Sequence, residues 1–460
     1  LWRHQYSDIF EIFGTGYYHP VLILILRNEH NLKKLLLILP RNERGYWEKV
    51  SKSGKAGFAR LSLTTVAALT PSHWAVEILD ARITPIDFTQ QTDLVGITAF
   101  TTEVPSAYEI ADGFRARGIK VVMGGIHASA LPDEALQHAD AVVVGEAEYV
   151  WQELIKDAEQ EKLKSVYKSE SLIEMTGMTI PRRELLNREM YTLFNTLQAT
   201  RGCPFNCEYC SVTAFFGNKY RTRPIEEVID EIRGFDGREF FFTDDNIIGH
   251  PKYSKELFCA LIPLKRKWGG QTTIHLARDK ELLSLYTQSG GRYAFIGFES
   301  LSEKNLQQMK KSWNSLDFYK EAIKQIHNAG INIIGSFIFG LDDDDESVFQ
   351  NTIDFIMENK IDAAQFHILT PFPGTNLYQS MEKEGKIVDR DWSKYNTCEV
   401  VFKPKNMTAQ ELQRGYYRAY HEIYSLKNIL KRSLRSPRNI LLRIVMNLSY
   451  RRKALKMPND

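Results

Sequence analysis

RGCPFNCEYCSV, residues 201–212, places three of the chain's five cysteines within eight positions. Cys203, Cys207 and Cys210 follow the spacing C-x3-C-x2-C. An odd total with three members clustered does not form a disulfide framework, and a reducing cytosol suits it better. Structural zinc takes four ligands, often as two separated C-x2-C pairs, and here there is neither a second pair nor a nearby histidine. Three thiolates on one loop suit a four-iron, four-sulfur (4Fe-4S) cluster and leave one iron without a protein ligand. An open metal position marks a reactive site more than a structural one. A zinc loop completed from elsewhere, or reduced bystander thiols, are the alternatives.

The cysteine loop follows TLQATRG (196–202), the first of six short apolar segments. The others are EFFFTDD (239–245), TTIHLAR (272–278), YAFIGFE (293–299), INIIGSFIFG (331–340) and DAAQFHIL (362–369). Segments of helical period separate them, among them PIEEVIDEIRGF (224–235), YSKELFCALIPLKRKW (253–268), FYKEAIKQIHNAG (318–330) and SVFQNTIDFIMENK (347–360). Strands alternating with helices predict a partial (β/α)6 barrel over residues 192–400, with its site at the carboxyl ends of the strands.

A second alternating series precedes it. LLLILP (35–40), AVEILDA (75–81), DLVGITAF (93–100), IKVVMGG (119–125) and DAVVVGE (140–146) read as buried strands, with SAYEIADGFRARG (106–118) and DEALQHA (133–139) as helices. This pattern predicts a doubly wound, Rossmann-like α/β domain over 34–160 whose ligand crevice is built from the loops TAFTTE, GGIHAS and GEAE. Residues 161–191 are polar and irregular and read as a linker. VLILIL (21–26) also reads as a buried strand and not as a signal peptide, and the first thirty or so residues, which begin without Met, are given little weight. No apolar run reaches the roughly 18 residues needed to span a bilayer.

The chain has 460 residues, with 43% hydrophobic and 25% charged, which suits a soluble protein of two or three domains. A net charge of +2 provides no overall field for nucleic acid. The charge is uneven, however: Tyr424 to Met457 holds ten Lys or Arg and no acidic residue. Residues 401–460 read as a helical extension whose basic tail interleaves Leu, Ile and Val with cations. A helix with one apolar and one basic face suits an anionic membrane surface. A tail packed on the barrel or a disordered basic end are the alternatives, and no aromatic platform for nucleic acid is present. Cys259 reads as a buried core thiol and Cys398 as a structural one.

With Tyr209 just before its third cysteine, the loop resembles the signature of the radical S-adenosylmethionine (SAM) superfamily. The resemblance covers 192 to about 400 and implies a 4Fe-4S cluster on Cys203, Cys207 and Cys210 whose open iron is chelated by SAM. Electron transfer from the cluster then yields a 5′-deoxyadenosyl radical. The resemblance further implies SAM contacts from Tyr209, from Asp244 and Asp245 toward the amino group (the common Gly-Gly-Glu is missing there), and from Arg278 toward the carboxylate. Glu299 and Ser300 would meet the ribose, and Gly340 would let the backbone approach adenine. Pro371–Thr375 matches a turn of the cobalamin-containing branch.

A doubly wound domain ahead of such a barrel resembles the cobalamin-binding radical SAM enzymes. That resemblance implies that Thr98, Gly124, Gly125, His127, Gly145 and Glu146 cradle cobalamin. No Asp-x-His occurs in the chain, so His127 is not expected to coordinate cobalt. The implied activity is a C-methyltransferase acting on an unactivated carbon of a lipid-like or other secondary-metabolite substrate. One SAM would give the radical, and methylcobalamin would deliver the methyl group. Radical cyclisation or rearrangement without methyl transfer is the alternative, and an iron–sulfur electron-transfer or regulatory protein is a third reading. The expected partners are a small molecule and an electron donor such as flavodoxin or ferredoxin. The expected location is cytoplasmic, with peripheral attachment at the inner face of the membrane as a variant of that reading.

Overall fold

Alternation along Lys33–Leu39 (β1) assigns each side chain to one face of a sheet: Leu36 and Ile38 enter one core, while Leu35, Leu37 and Leu39 enter another. A strand buried on both faces belongs inside a parallel sheet covered by helices on either side. The computed structural model, which describes residues 32–42, 44, 55–311, 315–434 and 440–458, shows that arrangement. The run VLILIL (21–26) lies outside the described residues.

Strands β1, Trp74–Asp80 (β2), Leu94–Thr98 (β3), Lys120–Gly124 (β4), Ala141–Val144 (β5) and Val166–Lys168 (β6) form one parallel sheet in the order β2-β1-β3-β4-β5-β6. Helix Val104–Arg115 covers one face, and Leu61–Leu69 and Trp151–Glu159 cover the other. The order reverses at β1, so the crevice opens at the carboxyl ends of β1 and β3. β6 lies within the segment read as a linker: Tyr167 is buried and pairs with Val143, which carries the sheet past residue 160.

The second sheet contains Thr196–Leu197 (β7), Glu239–Phe242 (β8), Lys267–Thr272 (β9), Gly291–Glu299 (β10), Asn332–Phe339 (β11) and Ala363–Ile368 (β12). All neighbours are parallel and in chain order, and among the described residues β7 and β12 do not pair, leaving the barrel open. β9 differs from its sequence reading. The strand is KWGGQT, and Ile274–Ala277 of the expected strand form a 3-10 turn. Two glycines, which weaken a strand signal, hid it.

The free edge of β12 is covered from the C-terminal extension, which comprises helices Ala409–Ile423, Leu426–Ser433 and Ile440–Ala454. Tyr420 Oη accepts from Phe366 N at 2.8 Å and donates to its carbonyl at 3.0 Å. Tyr424 Oη does the same at Ala364, at 3.0 and 2.5 Å. Tyrosines four residues apart thus satisfy backbone groups that a missing strand would have paired. The basic tail is therefore packed on the barrel, and no helix among the described residues is long and apolar enough to cross a membrane. Cys398 is buried in the barrel core, whereas Cys259 is exposed, one helical step away from the inward face of Leu257, Phe258 and Leu261.

Candidate active site

The cysteine loop leaves β7 and is closed by an antiparallel ribbon, Thr200–Arg201 with Arg221–Thr222. Gly202 has φ +84, and a Cβ there would lie 2.3 Å from the Lys219 carbonyl, so the turn into Cys203 requires glycine. Asp244, fully buried just beyond β8, anchors the loop base by accepting from Ala199 N (3.1 Å), Thr200 N (2.5 Å) and Thr200 Oγ1 (2.6 Å). On the far side, Leu377 N donates to the Glu208 carbonyl at 3.1 Å, and Lys310 pairs with the Glu208 side chain.

The three thiols face one another closely enough to interact electrostatically, and none is in a disulfide. Burial pushes Cys203 up to about 11 and Cys207 to about 12, and also raises Cys210. Among the described residues, no three Cys, His, Asp or Glu converge to hold a single ion. Sulfurs that each bind a different iron of a cluster do not share such a point. The donor set fits a 4Fe-4S cluster: soft ligands, one loop, and no fourth cysteine beside them.

Asp245 differs from its neighbour. Burial pushes its carboxyl up to about 6, partly offset by a hydrogen bond from Gly202 N–H. Its Oδ2 is buried and accepts no hydrogen bond among the described residues. An unsatisfied buried carboxylate oxygen is costly and calls for a donor. It faces Cys203 and Cys210 and lines a cavity of about 470 Å³.

That cavity extends from the barrel to the first sheet. Thr98, Gly124, Gly125, Gly145 and Glu146 line it, as do Gln198, Arg201 and Thr243. At Gly125 (φ +95) a Cβ would meet Thr98 Oγ1 at 2.7 Å, whereas at Gly145 nothing lies within 4 Å of that position. The open, largely apolar floor at β5 therefore admits a flat ligand close to the backbone.

The other residues singled out in the sequence have these surroundings. His127 is buried away from the cavity against Trp392, with Nε2 3.3 Å from Glu134. Glu146 is engaged by the protein itself, accepting from Arg201 Nη1 (2.7 Å), Arg221 Nη1 (2.8 Å) and Ile173 N (3.1 Å). Asp244 has its carboxylate committed to the loop base. Arg278 follows the 3-10 turn, is exposed, and stacks over Phe318 at 4.5 Å. Gly340 faces the C-terminal extension, where its Cβ would meet Leu412 at 2.7 Å, so its lack of a side chain makes room for that packing. Ser300 is buried, with its Oγ accepting from Ser302 N at 3.1 Å. In the Pro371–Thr375 turn, a Cβ on Gly374 would touch Ala130 of the first domain at 3.2 Å, and Thr375 caps helix Asn376–Lys383.

Glu299 ends β10 at a register shift with φ +67, a strained value for a residue with a side chain. Its carboxylate pairs with buried Lys311 at 2.7 Å and accepts from the Tyr209 hydroxyl. Gly297 leaves room for it, since a Cβ there would lie 2.3 Å from Glu299 Oε1. Lys311 was missed by the sequence reading, yet its charge faces all three cysteines. Burial opposes that charge, and Glu299 sustains it. The placement of Lys311 after helix Glu303–Gln308 carries no local signal.

A model described as Radical SAM superfamily matches residues 197–356, a B12 binding domain matches 58–155, and a domain of unknown function, DUF4070, matches 375–456. The chain is 36% identical over 433 residues to the bacteriochlorophyllide d C-12(1)-methyltransferase of Chlorobaculum tepidum, covering 91% of this chain and 93% of that protein. It is 31% identical to the bacteriochlorophyllide d C-8(2)-methyltransferase of the same organism, covering 85% and 91%. Among solved structures, the radical S-adenosylmethionine methyltransferase TsrM from Kitasatospora setae, with cobalamin and a [4Fe-4S] cluster bound, shares the fold. Its TM-score is 0.66 at 15% identity, covering 92% of this chain and 99% of that one.

Proposed function

The chain belongs to the cobalamin-binding branch of the radical SAM superfamily, and from that premise we propose that it methylates an unactivated carbon of a large, mostly apolar small molecule. Its cofactors are a 4Fe-4S cluster, SAM and cobalamin. When bound, these supply the electron that cleaves SAM, the radical that removes hydrogen, and the carrier for the methyl group. In this reading Cys203, Cys207 and Cys210 hold the cluster, and Asp245 Oδ2 receives the SAM ammonium. Thr98, Gly124, Gly125 and Gly145 face cobalamin. Asp244 and the Glu299–Lys311 pair position the loop.

One observation carries the proposal. A single cavity is lined both by Asp245, whose buried Oδ2 accepts no hydrogen bond among the described residues, and by residues at the ends of β3, β4 and β5. Two cofactor sites opening onto shared space allow a substrate to meet both. The bacteriochlorophyllide specificity of the relatives makes a tetrapyrrole the first substrate to test. A flavodoxin or ferredoxin is the proposed electron donor. The basic C-terminal segment is proposed to hold the enzyme peripherally at a membrane, where such a substrate partitions.

The deciding experiment is anaerobic reconstitution with iron, sulfide, cobalamin and SAM carrying a labelled methyl group. It is expected to give 5′-deoxyadenosine together with labelled product from a bacteriochlorophyllide. 5′-Deoxyadenosine and altered substrate without label would instead establish cyclisation or rearrangement. Asp245→Asn removes a charge-assisted contact worth about 1.5–3 kcal/mol, so SAM affinity should fall about ten- to a hundredfold. Thermal stability without SAM should not fall, because the lost oxygen has no partner to abandon. Unchanged SAM affinity by equilibrium dialysis would remove Asp245 from the site.

A further inference from the structure

The last two helices bury polar side chains while exposing leucines. Arg432, Arg443 and Asn447 are fully buried. Arg432 donates to the Ile423 carbonyl and to Asn447 Oδ1, both at 2.9 Å. Arg443 donates to the Ser433 carbonyl at 2.8 Å and lies 3.6 Å from Asp362, and Asn447 donates to the Asp362 carbonyl at 2.8 Å. Polar groups thus fasten both helices to the foot of β12.

The outward face carries apolar stripes. Leu426, Leu430 and Leu434 recur at four-residue spacing, with Leu434 65% exposed. Leu441 and Val445, one turn apart on the following helix, are 72% and 57% exposed, and Leu455 just beyond its end is 60% exposed. A scattered exposed leucine needs no explanation, but two adjacent helices each presenting a stripe mark an interaction surface. Exposed Lys427, Lys431, Arg452 and Lys456 are interleaved with the stripes, and no acidic residue occurs between Tyr424 and Met457.

From this face we infer the partner: a lipid surface carrying anionic headgroups, into which the leucines insert while the cations meet the headgroups. The charge decides among occupants. A second copy would set two basic faces against each other, whereas anionic lipid neutralises them. The inference assigns the outer face of the DUF4070 segment a role. It deepens the proposal of peripheral membrane contact and does not depend on methyl transfer.

The full chain would be sedimented with vesicles of phosphatidylcholine alone and of phosphatidylcholine mixed with phosphatidylglycerol, and its mass in solution measured by light scattering. Binding to the mixed vesicles is expected, at least about tenfold tighter than to the neutral ones and weakened by salt. The variant Leu430→Gln/Leu434→Gln/Val445→Gln should lose about tenfold or more of that binding. It should keep its far-UV circular dichroism and its rate of 5′-deoxyadenosine formation. Lys427→Glu/Lys431→Glu/Lys456→Glu should abolish the preference for anionic lipid. No binding to either vesicle, or binding indifferent to both variants, would overturn the inference. So would a wild-type dimer that the leucine variant renders monomeric. Failure of methyl transfer with vesicle binding intact would leave it standing.

Discussion

Cys203→Ala is expected to fold normally, to lose its cluster iron, and to form no 5′-deoxyadenosine above background. Apart from a hydrogen bond from Phe205 N–H to the Cys203 sulfur, the loop is held by groups other than that sulfur. Hydrogen bonds that Ala199 N, Thr200 N and Thr200 Oγ1 donate to Asp244 fix its base, the Arg201–Arg221 ribbon closes it, and Leu377 N holds the Glu208 carbonyl on its far side. Cys203 is only partly buried, so removing its sulfur leaves little cavity. A small-residue change at such a site costs well under the 2–5 kcal/mol of a large core truncation. The chemistry is another matter. With three thiolates and one open iron, losing one sulfur leaves two irons without protein ligands, and the cluster cannot be retained. Iron and sulfide content, the visible absorption of the cluster, and 5′-deoxyadenosine yield test this together. An iron content equal to wild type with a native circular dichroism spectrum would disprove the assignment of Cys203.

The same loop shows what a sequence discloses and what it conceals. Spacing alone located the three cysteines, and alternation of strand and helix placed them after the first barrel strand. Thr98, Gly124, Gly125 and Gly145 were legible because strand-end loops of a doubly wound sheet must converge on one crevice. Asp244 and Asp245 were not separable. Neighbouring residues at a strand end point in opposite directions, and only register decides which enters the core and which the cavity. Lys311 pairs with Glu299 across a helix and a turn, a long-range choice with no periodic signature. Glu146 sits in a legible loop, but its partners Arg201 and Arg221 come from the other sheet's elements, so a ligand-binding reading and a clamping reading look alike in sequence. In the C-terminal helices the mixture of apolar and basic residues was legible, but not which cations turn inward: buried Asp362 and carbonyls at the foot of the barrel take up Arg432 and Arg443.

Glu146→Ala is expected to destabilise the protein by about 3 kcal/mol or more, because it breaks a buried ionic cluster by deleting its shared acceptor. The carboxylate accepts from two guanidinium groups and one backbone N–H, and only 7% of the residue is exposed. Arg201 keeps a second partner, Glu148 at 2.7 Å, but Arg221 has no other acidic partner among its described ion pairs. Glu146→Gln, which keeps the shape without the charge, should cost less. Burial works against the Glu146 charge, yet hydrogen bonds from Arg221 and Arg201 outweigh it and hold the carboxyl below the usual range. The unfolded chain therefore binds the proton more readily than the folded one. The contribution of Glu146 is fully present above the ordinary glutamate range near pH 4.5 and is lost as pH falls below it toward the depressed value. Thermal denaturation of wild type and Glu146→Gln should accordingly converge under acid conditions and separate near neutrality. Because Arg201 directly precedes the cysteine loop and Glu146 follows β5, the clamp also sets the distance between the two ends of the cavity. The alanine variant, assayed below its melting temperature, should still cleave SAM but should form less methylated product per 5′-deoxyadenosine. Equal melting temperatures at neutral pH, with an unchanged product ratio, would show that the clamp is dispensable.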